Sequence, residues 1–197
     1  MNENETQAPL FRRFVRGAFD YLELFALSVF AVLVVFTFGF RLCQVEGRSM
    51  ENTLHDKEYL LVRSFAYQPK QDDIIVFHGL NKTLVKRVVA VGGQEVIIDT
   101  NTNQITVDGE VYADSHAVLK NRRTDEITNT YQTDLFYNDF DSSSGIYRIT
   151  VPEGKLFVLG DNRNNSTDSR NPDVGFVDEH LVLGKVFLRV VPFRIFS

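Results

Sequence analysis

Thr83-Leu84-Val85-Lys86-Arg87-Val88-Val89 reads as a β-strand. Its β-branched side chains are stiff at χ1 and pack well on a pleated surface. Alternation puts Leu84, Lys86 and Val88 on one face and Val85, Arg87 and Val89 on the other. The chain repeats this texture on both sides. Upstream stands Asp73-Ile74-Ile75-Val76-Phe77; downstream come Glu95-Val96-Ile97-Ile98, Gln104-Ile105-Thr106-Val107 and Leu156-Phe157-Val158-Leu159. Gly92-Gly93 and Asp108-Gly109 punctuate them as turns. Gly184 to Phe196 reads as a further strand pair or edge, bent at Pro192. No helical period of useful length follows Cys43, so the expected class is mainly β.

Further towards the N-terminus the texture changes. Leu24 to Phe40 carries no charge and is interrupted only by Ser28, Thr37 and Gly39. As a helix it is roughly 26 Å long, at the short end of what spans a bilayer. Tyr21 and Leu22 before it, with Leu42 and Cys43 after it, extend the expected span. Arg12, Arg13 and Arg16 precede the stretch, as in a secretory signal, but Phe40-Arg41-Leu42-Cys43 offers no small-x-small cleavage site. A buried core helix would keep a polar face. The expectation is therefore an uncleaved transmembrane anchor at 21–43, behind a short tail at 1–20 and ahead of a β-rich domain at 44–197. Three basic residues before the span against Arg41 and Arg48 after it favour a cytoplasmic N-terminus and an extracytoplasmic domain.

Whole-chain numbers hide this division. The 197 residues are 44% hydrophobic and 24% charged, ordinary globular values that exclude a disordered or multi-span chain. A net charge of −5 argues against nucleic acid as a partner. One cysteine excludes an internal disulfide, and four histidines without a second cysteine leave little for a metal site. Residues 113–147 are polar with scattered aromatics and read as an irregular insertion on the β core.

Two loops carry candidate chemistry. Gly47-Arg48-Ser49-Met50-Glu51-Asn52-Thr53-Leu54 follows the anchor. It is not a nucleophile elbow, since Glu51 stands where the second glycine belongs; taken alone, Ser49 reads as a turn or cap serine. Gly160-Asp161-Asn162-Arg163-Asn164-Asn165-Ser166-Thr167-Asp168-Ser169-Arg170 has no apolar side chain, yet follows a strand of buried character. Alternating acceptors and arginines suit a self-bonded network beside a site. Lys86 shares its strand face with apolar neighbours. A lysine desolvated there loses preference for its charged form and, when neutral, accepts a serine proton. The plainer alternative is a lysine that snorkels into water.

Together these stretches resemble the type I signal peptidases, membrane-anchored Ser/Lys proteases that remove signal peptides from exported proteins. The resemblance rests on Ser49-Met50 with Thr53-Leu54, on Asp73 to Phe77, on Lys86-Arg87-Val88-Val89, and on Gly160-Asp161-Asn162-Arg163 with Asn165-Ser166 and Asp168-Ser169-Arg170. Their order and the single span look like the form common in Gram-positive bacteria. The resemblance implies an antiparallel β-sheet catalytic domain behind one N-terminal transmembrane helix. It implies Ser49 as nucleophile and Lys86 as general base, with the Ser49 backbone N–H donating to the oxyanion. Ser166 would orient the Lys86 amine. Asp168 and Arg170 would pair to hold the loop, supported by Asp161 and Arg163. No metal or other cofactor is implied. The implied partners are signal peptides of preproteins and the lipid bilayer, near the secretion translocon.

Departures from the family pattern are local. Asn52 stands at the usual proline, Asp72 at a frequent glycine, Asn164 at a frequent aspartate, and Gly47 where some members place a serine hydroxyl in the oxyanion hole. Ser49 lies within about 30 Å of Phe40 even on a fully extended chain, so the site is tethered near the membrane. Phe65-Ala66-Tyr67 or Val190 to Phe196 would rest on lipid. A soluble Ser/Lys self-cleaving repressor would carry a helix-turn-helix where this chain has its apolar span. A non-enzymatic anchored β module would tolerate loss of Lys86.

Overall fold

In the computed structural model, residues 7–65, 67–113, 115–117 and 140–196 are described. The chain divides into two compact units, Met1–Arg41 and Leu42–Ser197.

The first unit is helix α1 (Gln7–Gly39). Among the described residues it is the one helix long and apolar enough to cross a membrane, over Phe14–Val34. Leu24, Phe25, Leu27, Phe30 and Leu33 are all exposed, and the Ser28 hydroxyl is satisfied by the Phe25 carbonyl at 2.7 Å. The helix starts earlier and stops sooner than the apolar run suggests. It ends at Gly39, and Phe40 to Cys43, expected within the anchor, open strand β1 (Phe40–Gln44). Exposure then alternates, with Cys43 and Val45 turned towards the core.

The second unit is built of strands. They are β2 (Tyr59–Arg63), β3 (Ile74–Gly79), β4 (Lys82–Val91), β5 (Glu95–Asp99), β6 (Gln104–Val107), β7 (Glu110–Val111), β8 (Phe140–Asp141), β9 (Ile146–Thr150), β10 (Lys155–Leu159), β11 (Val177–Asp178), β12 (Val182–Arg189) and β13 (Arg194–Ile195). One sheet runs β1-β2-β12-β3-β4-β10-β11, with β13 on β12; the other runs β7-β6-β5-β9-β8. The pairings among β2 to β13 are antiparallel. The mainly β class is therefore borne out. The expected strand pair near the C-terminus is β12 with β13. β9 lies partly inside the stretch read as an irregular insertion: Ile146 and Tyr147 pair with Asp99 and Ile98 of β5. β8 lies wholly inside it and pairs with β9, Phe140 opposite Tyr147 and Asp141 opposite Ile146, while residues 114 and 118–139 of that stretch fall outside the described residues.

The strands sort their side chains into three clusters. Ile74 and Val76 of β3 face Val45, Met50, Leu54 and Leu60. Ile75 and Phe77 face Leu84, Val88 and Leu156. Val89 of β4 belongs to a third cluster with residues of the second sheet. Two-residue periodicity with both faces buried makes β3 and β4 the centre of the domain, and β4 carries the central lysine.

Candidate active site

Lys86 sits where two antiparallel neighbours stop covering β4 equally. β3 pairs along its whole length, from Arg87 opposite Ile74 to Lys82 opposite Gly79. β10 pairs only as far as Leu159 opposite Arg87. Gly160 therefore leaves the sheet one residue from Lys86, and the polar loop it opens lies beside that side chain. The Ser49 turn comes from the other direction. Met50 and Leu54, both buried, root it in the β3 core, and the Met50 carbonyl accepts from the N–H groups of Thr53 and Leu54 at 3.0 and 2.8 Å.

The two loops interlock. Asn162 donates its backbone N–H to the Ser49 carbonyl at 3.0 Å and its side-chain amide to the Arg48 carbonyl at 3.0 Å. A Cβ on Gly160 would stand 2.5 Å from the Ser49 carbonyl and 2.2 Å from Ser166 Oγ, so this approach requires glycine.

Between the loops, Lys86 Nζ donates to Ser49 Oγ at 2.7 Å and to the Val85 carbonyl at 3.0 Å. Lys86 is only 2% exposed. Burial lowers its pKa from the usual 10.5 to about 8; Lys82 and Arg170 act the same way, while Asp168 and Asp161 oppose them. The desolvated strand lysine expected from its apolar face is what the structure contains. A pair of this kind, with an amine that loses its proton near pH 8 set on a hydroxyl, can move a proton from oxygen to nitrogen.

Asp168 and Arg170 form the expected pair: Arg170 donates through Nε at 2.7 Å and Nη2 at 2.9 Å to the two Asp168 oxygens. Burial alone would raise the Asp168 carboxyl, but the Arg170 guanidinium outweighs it and holds the group below its ordinary range. Asp168 also accepts from the Gly160 N–H at 2.9 Å, and Arg170 reaches the Arg163 carbonyl. Arg163 donates Nε to the Gly160 carbonyl at 3.0 Å.

Asp161 has partners the sequence reading did not supply. Arg87 Nε and Nη2 bind its two oxygens at 2.9 and 2.8 Å, and Thr53 Oγ1 donates to it at 2.5 Å. Arg87 also reaches the Asp72 carbonyl. One buried ion pair thus joins β4, the polar loop and the Ser49 turn. Alternation had already placed Arg87 opposite Lys86, but nothing local pointed from it to a carboxylate 74 residues away.

Ser166 differs from expectation in detail. Its Oγ is buried and makes no hydrogen bond among the described residues; it lies against Gly160 and near enough to Asp168 to help lower that carboxyl. The expected bond from Lys86 to Ser166 is not formed here, because the amine points to Ser49 and Val85. At the oxyanion side, the Gly47 N–H is taken by Asp56 at 2.8 Å.

Two of the unusual positions have a backbone reason. Asp72 has φ +70° and Asn52 φ +83°, left-handed conformations that suit glycine, asparagine or aspartate and that proline cannot adopt. An open cleft of about 770 Å³ runs from the pair along β1 and β4, bordered by Cys43, Val45, Leu80, Leu84, Asn165 and Thr167. Among the described residues no cluster of His, Cys, Asp and Glu could hold a metal.

The chain is similar to known proteins over most of its length. The family model described as "Signal peptidase, peptidase S26" matches residues 18–191. Signal peptidase I of Bacillus licheniformis is 32% identical over 181 residues, covering 89% of this chain and 90% of that protein. Signal peptidase IB of Staphylococcus aureus is 35% identical over 159 residues, 78% of each. A solved signal peptidase I from Enterococcus faecalis aligns at a TM-score of 0.43 and 29% identity, over 61% of this chain and 97% of that one. With a buried lysine on a turn serine, and with that family matched across most of its length, the chain belongs to the S26 signal peptidases and is a serine endopeptidase.

Proposed function

We propose that this protein removes N-terminal signal peptides from exported preproteins by a Ser49/Lys86 acyl-enzyme mechanism, with its catalytic domain on the extracytoplasmic side of the cell membrane. The observation that carries the dyad is the 2.7 Å hydrogen bond between Lys86 Nζ and Ser49 Oγ at a buried lysine.

The cycle follows from the geometry. Neutral Lys86 takes the Ser49 proton as Oγ attacks the carbonyl of the last signal-peptide residue. The Ser49 N–H donates to the oxyanion. The resulting ammonium, beside Asp168 and Asp161, then protonates the leaving amine. Water, deprotonated by the same lysine, hydrolyses the ester and frees Ser49.

The Lys82 to Lys86 edge of β4, beyond the reach of β10, supports binding of an extended peptide by added-strand hydrogen bonds. Helix α1 supplies the anchor, and exposed Phe65, Val191, Phe193 and Ile195 suit contact with lipid. Ser166, whose buried Oγ lies against Gly160 and helps lower the Asp168 carboxyl, is assigned a supporting role beside the pair. Arg12, Arg13 and Arg16, N-terminal to the apolar run of α1, favour a cytoplasmic N-terminus, which brings the domain to the face where translocated chains emerge.

The test is preprotein processing in detergent by wild type and Lys86→Ala side by side. Loss of cleavage in a folded Lys86→Ala protein is expected; near-normal turnover would overturn the dyad.

A further inference from the structure

The turn that carries Ser49 is held at both ends. At its start, Asn162 binds the Ser49 and Arg48 carbonyls. At its end stands Thr53, whose hydroxyl is bound to Asp161. The Thr53 carbonyl is bound from a different quarter of the fold, by Arg189 Nη1 at 3.2 Å. Arg189 is the last residue of β12, paired with Leu60 on one side and Arg194 on the other.

Its side chain is largely buried, at 12% exposure, and both ends of its guanidinium are engaged. Nη1 also donates to the two Glu58 oxygens at 3.1 and 3.3 Å, and Nε donates to the Pro192 carbonyl at 2.8 Å. Glu58 in turn accepts from the His55 N–H at 2.9 Å. One planar cation therefore bridges the β12–β13 hairpin, the start of β2 and the end of the nucleophile turn. A guanidinium fork suits this, because its donors diverge in one fixed plane.

We infer that Arg189 is a positioning residue for the Ser49/Lys86 pair, holding the far end of the nucleophile turn through the Thr53 carbonyl. It touches neither reacting atom. The Met50 carbonyl ties Thr53 and Leu54 back to the residue after Ser49, so displacement at Thr53 is passed to the nucleophile within one turn of chain. Misplacement of a nucleophile by a fraction of a bond length costs rate more than binding. Arg189 should therefore act on kcat and leave KM nearly unchanged. The inference rests on the Ser49/Lys86 reading, which Ser49→Ala tests separately in the same assay.

The experiment compares the full chain in detergent as wild type, Ser49→Ala, Arg189→Gln, Arg189→Lys and Lys185→Gln, with cleavage of a preprotein measured well below each melting temperature. Lys185 lies on the same strand and pairs with Asp73 at 2.8 Å, so it controls for general weakening of β12. The expected result is a kcat loss of about tenfold or more for Arg189→Gln, the size of one lost charge-assisted hydrogen bond, with KM within about twofold. Arg189→Lys should recover a substantial part, and Lys185→Gln should keep its kcat.

Unchanged kcat in a folded Arg189→Gln protein, with only a lower melting temperature, would overturn the inference. So would an equal kcat loss in Lys185→Gln. Should Arg189→Gln fail to fold, Glu58→Gln, which frees the same guanidinium from its carboxylate, carries the test, and wild-type kcat in it would overturn the inference. If wild type and Ser49→Ala cleave alike, the dyad reading fails and the inference resting on it falls with it, a result distinct from a failure at Arg189 alone.

Discussion

Lys86 shows how one side chain takes its chemistry from burial. Its ammonium loses solvation in the strand face it shares with Leu84 and Val88, and the pKa falls to about 8. Because the base must be neutral, kcat/KM should rise through mildly alkaline pH with a midpoint near 8, read from a pH–rate profile. Lys86→Arg should be inactive, since a guanidinium stays protonated there. The same shift makes a stability statement. Below about 8 both folded and unfolded chains carry the proton, and the desolvation cost is present in full. Between about 8 and 10.4 the unfolded chain holds more protons than the folded one, so this group's contribution to stability increases with pH. Lys86→Met should therefore abolish turnover yet stabilise the protein at pH 7, by on the order of 2–3 kcal/mol. Urea unfolding at pH 7 and pH 10 checks this, and the gain should shrink at the higher pH.

Between elements, the Arg87–Asp161 pair joins β4 to the loop after β10, with Thr53 as third partner. Arg87→Met leaves a carboxylate buried without its cation and should destabilise by about 3–5 kcal/mol. Arg87→Met combined with Asp161→Leu should recover much of that, because the cost lies in the orphaned charge; a double-mutant cycle by chemical denaturation measures the coupling. Gly160→Ala tests the interlock of the two loops. With 2.2 Å to Ser166 Oγ and 2.5 Å to the Ser49 carbonyl, the new methyl must push the nucleophile turn away. A fall in kcat of tenfold or more, at nearly unchanged far-UV circular dichroism, is expected in a cleavage assay.

At the scale of the whole chain, an exposed apolar helix and a β domain with its own three clusters form separate compact units. The domain has no internal disulfide, since the chain carries a single cysteine, Cys43, which borders the cleft. Orientation is open to direct measurement: protease added outside intact protoplasts should digest the domain and spare residues 1–20, ahead of the apolar span. Protection of the domain would reverse the proposed topology. Apolar Val191, Phe193 and Ile195 lie exposed on the chain around β13. Replacing them with serine should weaken liposome retention of the full chain after α1 is removed by proteolysis, with flotation as the readout.

Much of this was legible beforehand because it is local. Two-residue alternation in 74–77 and 83–89 announces strands, and a 17-residue run without charge announces a helix that no core could cover. The order of the Ser49, Lys86 and Gly160 motifs carried the family. What stayed hidden depends on contacts distant in sequence. Phe40 to Cys43 is apolar enough for the anchor, yet β2 draws it into a sheet. Ile146 and Tyr147 follow a polar stretch, yet β5 offers them an edge. The partners of Asp161 and Arg189 lie 74 and 136 residues away. Sequence alone determined the apolar helix, the β class and the family, because periodicity and motif are written along the chain. Only the tertiary structure decided which charges hold the Ser49 turn and Lys86 in place, because hydrogen bonds across a sheet depend on register and the closing of long loops.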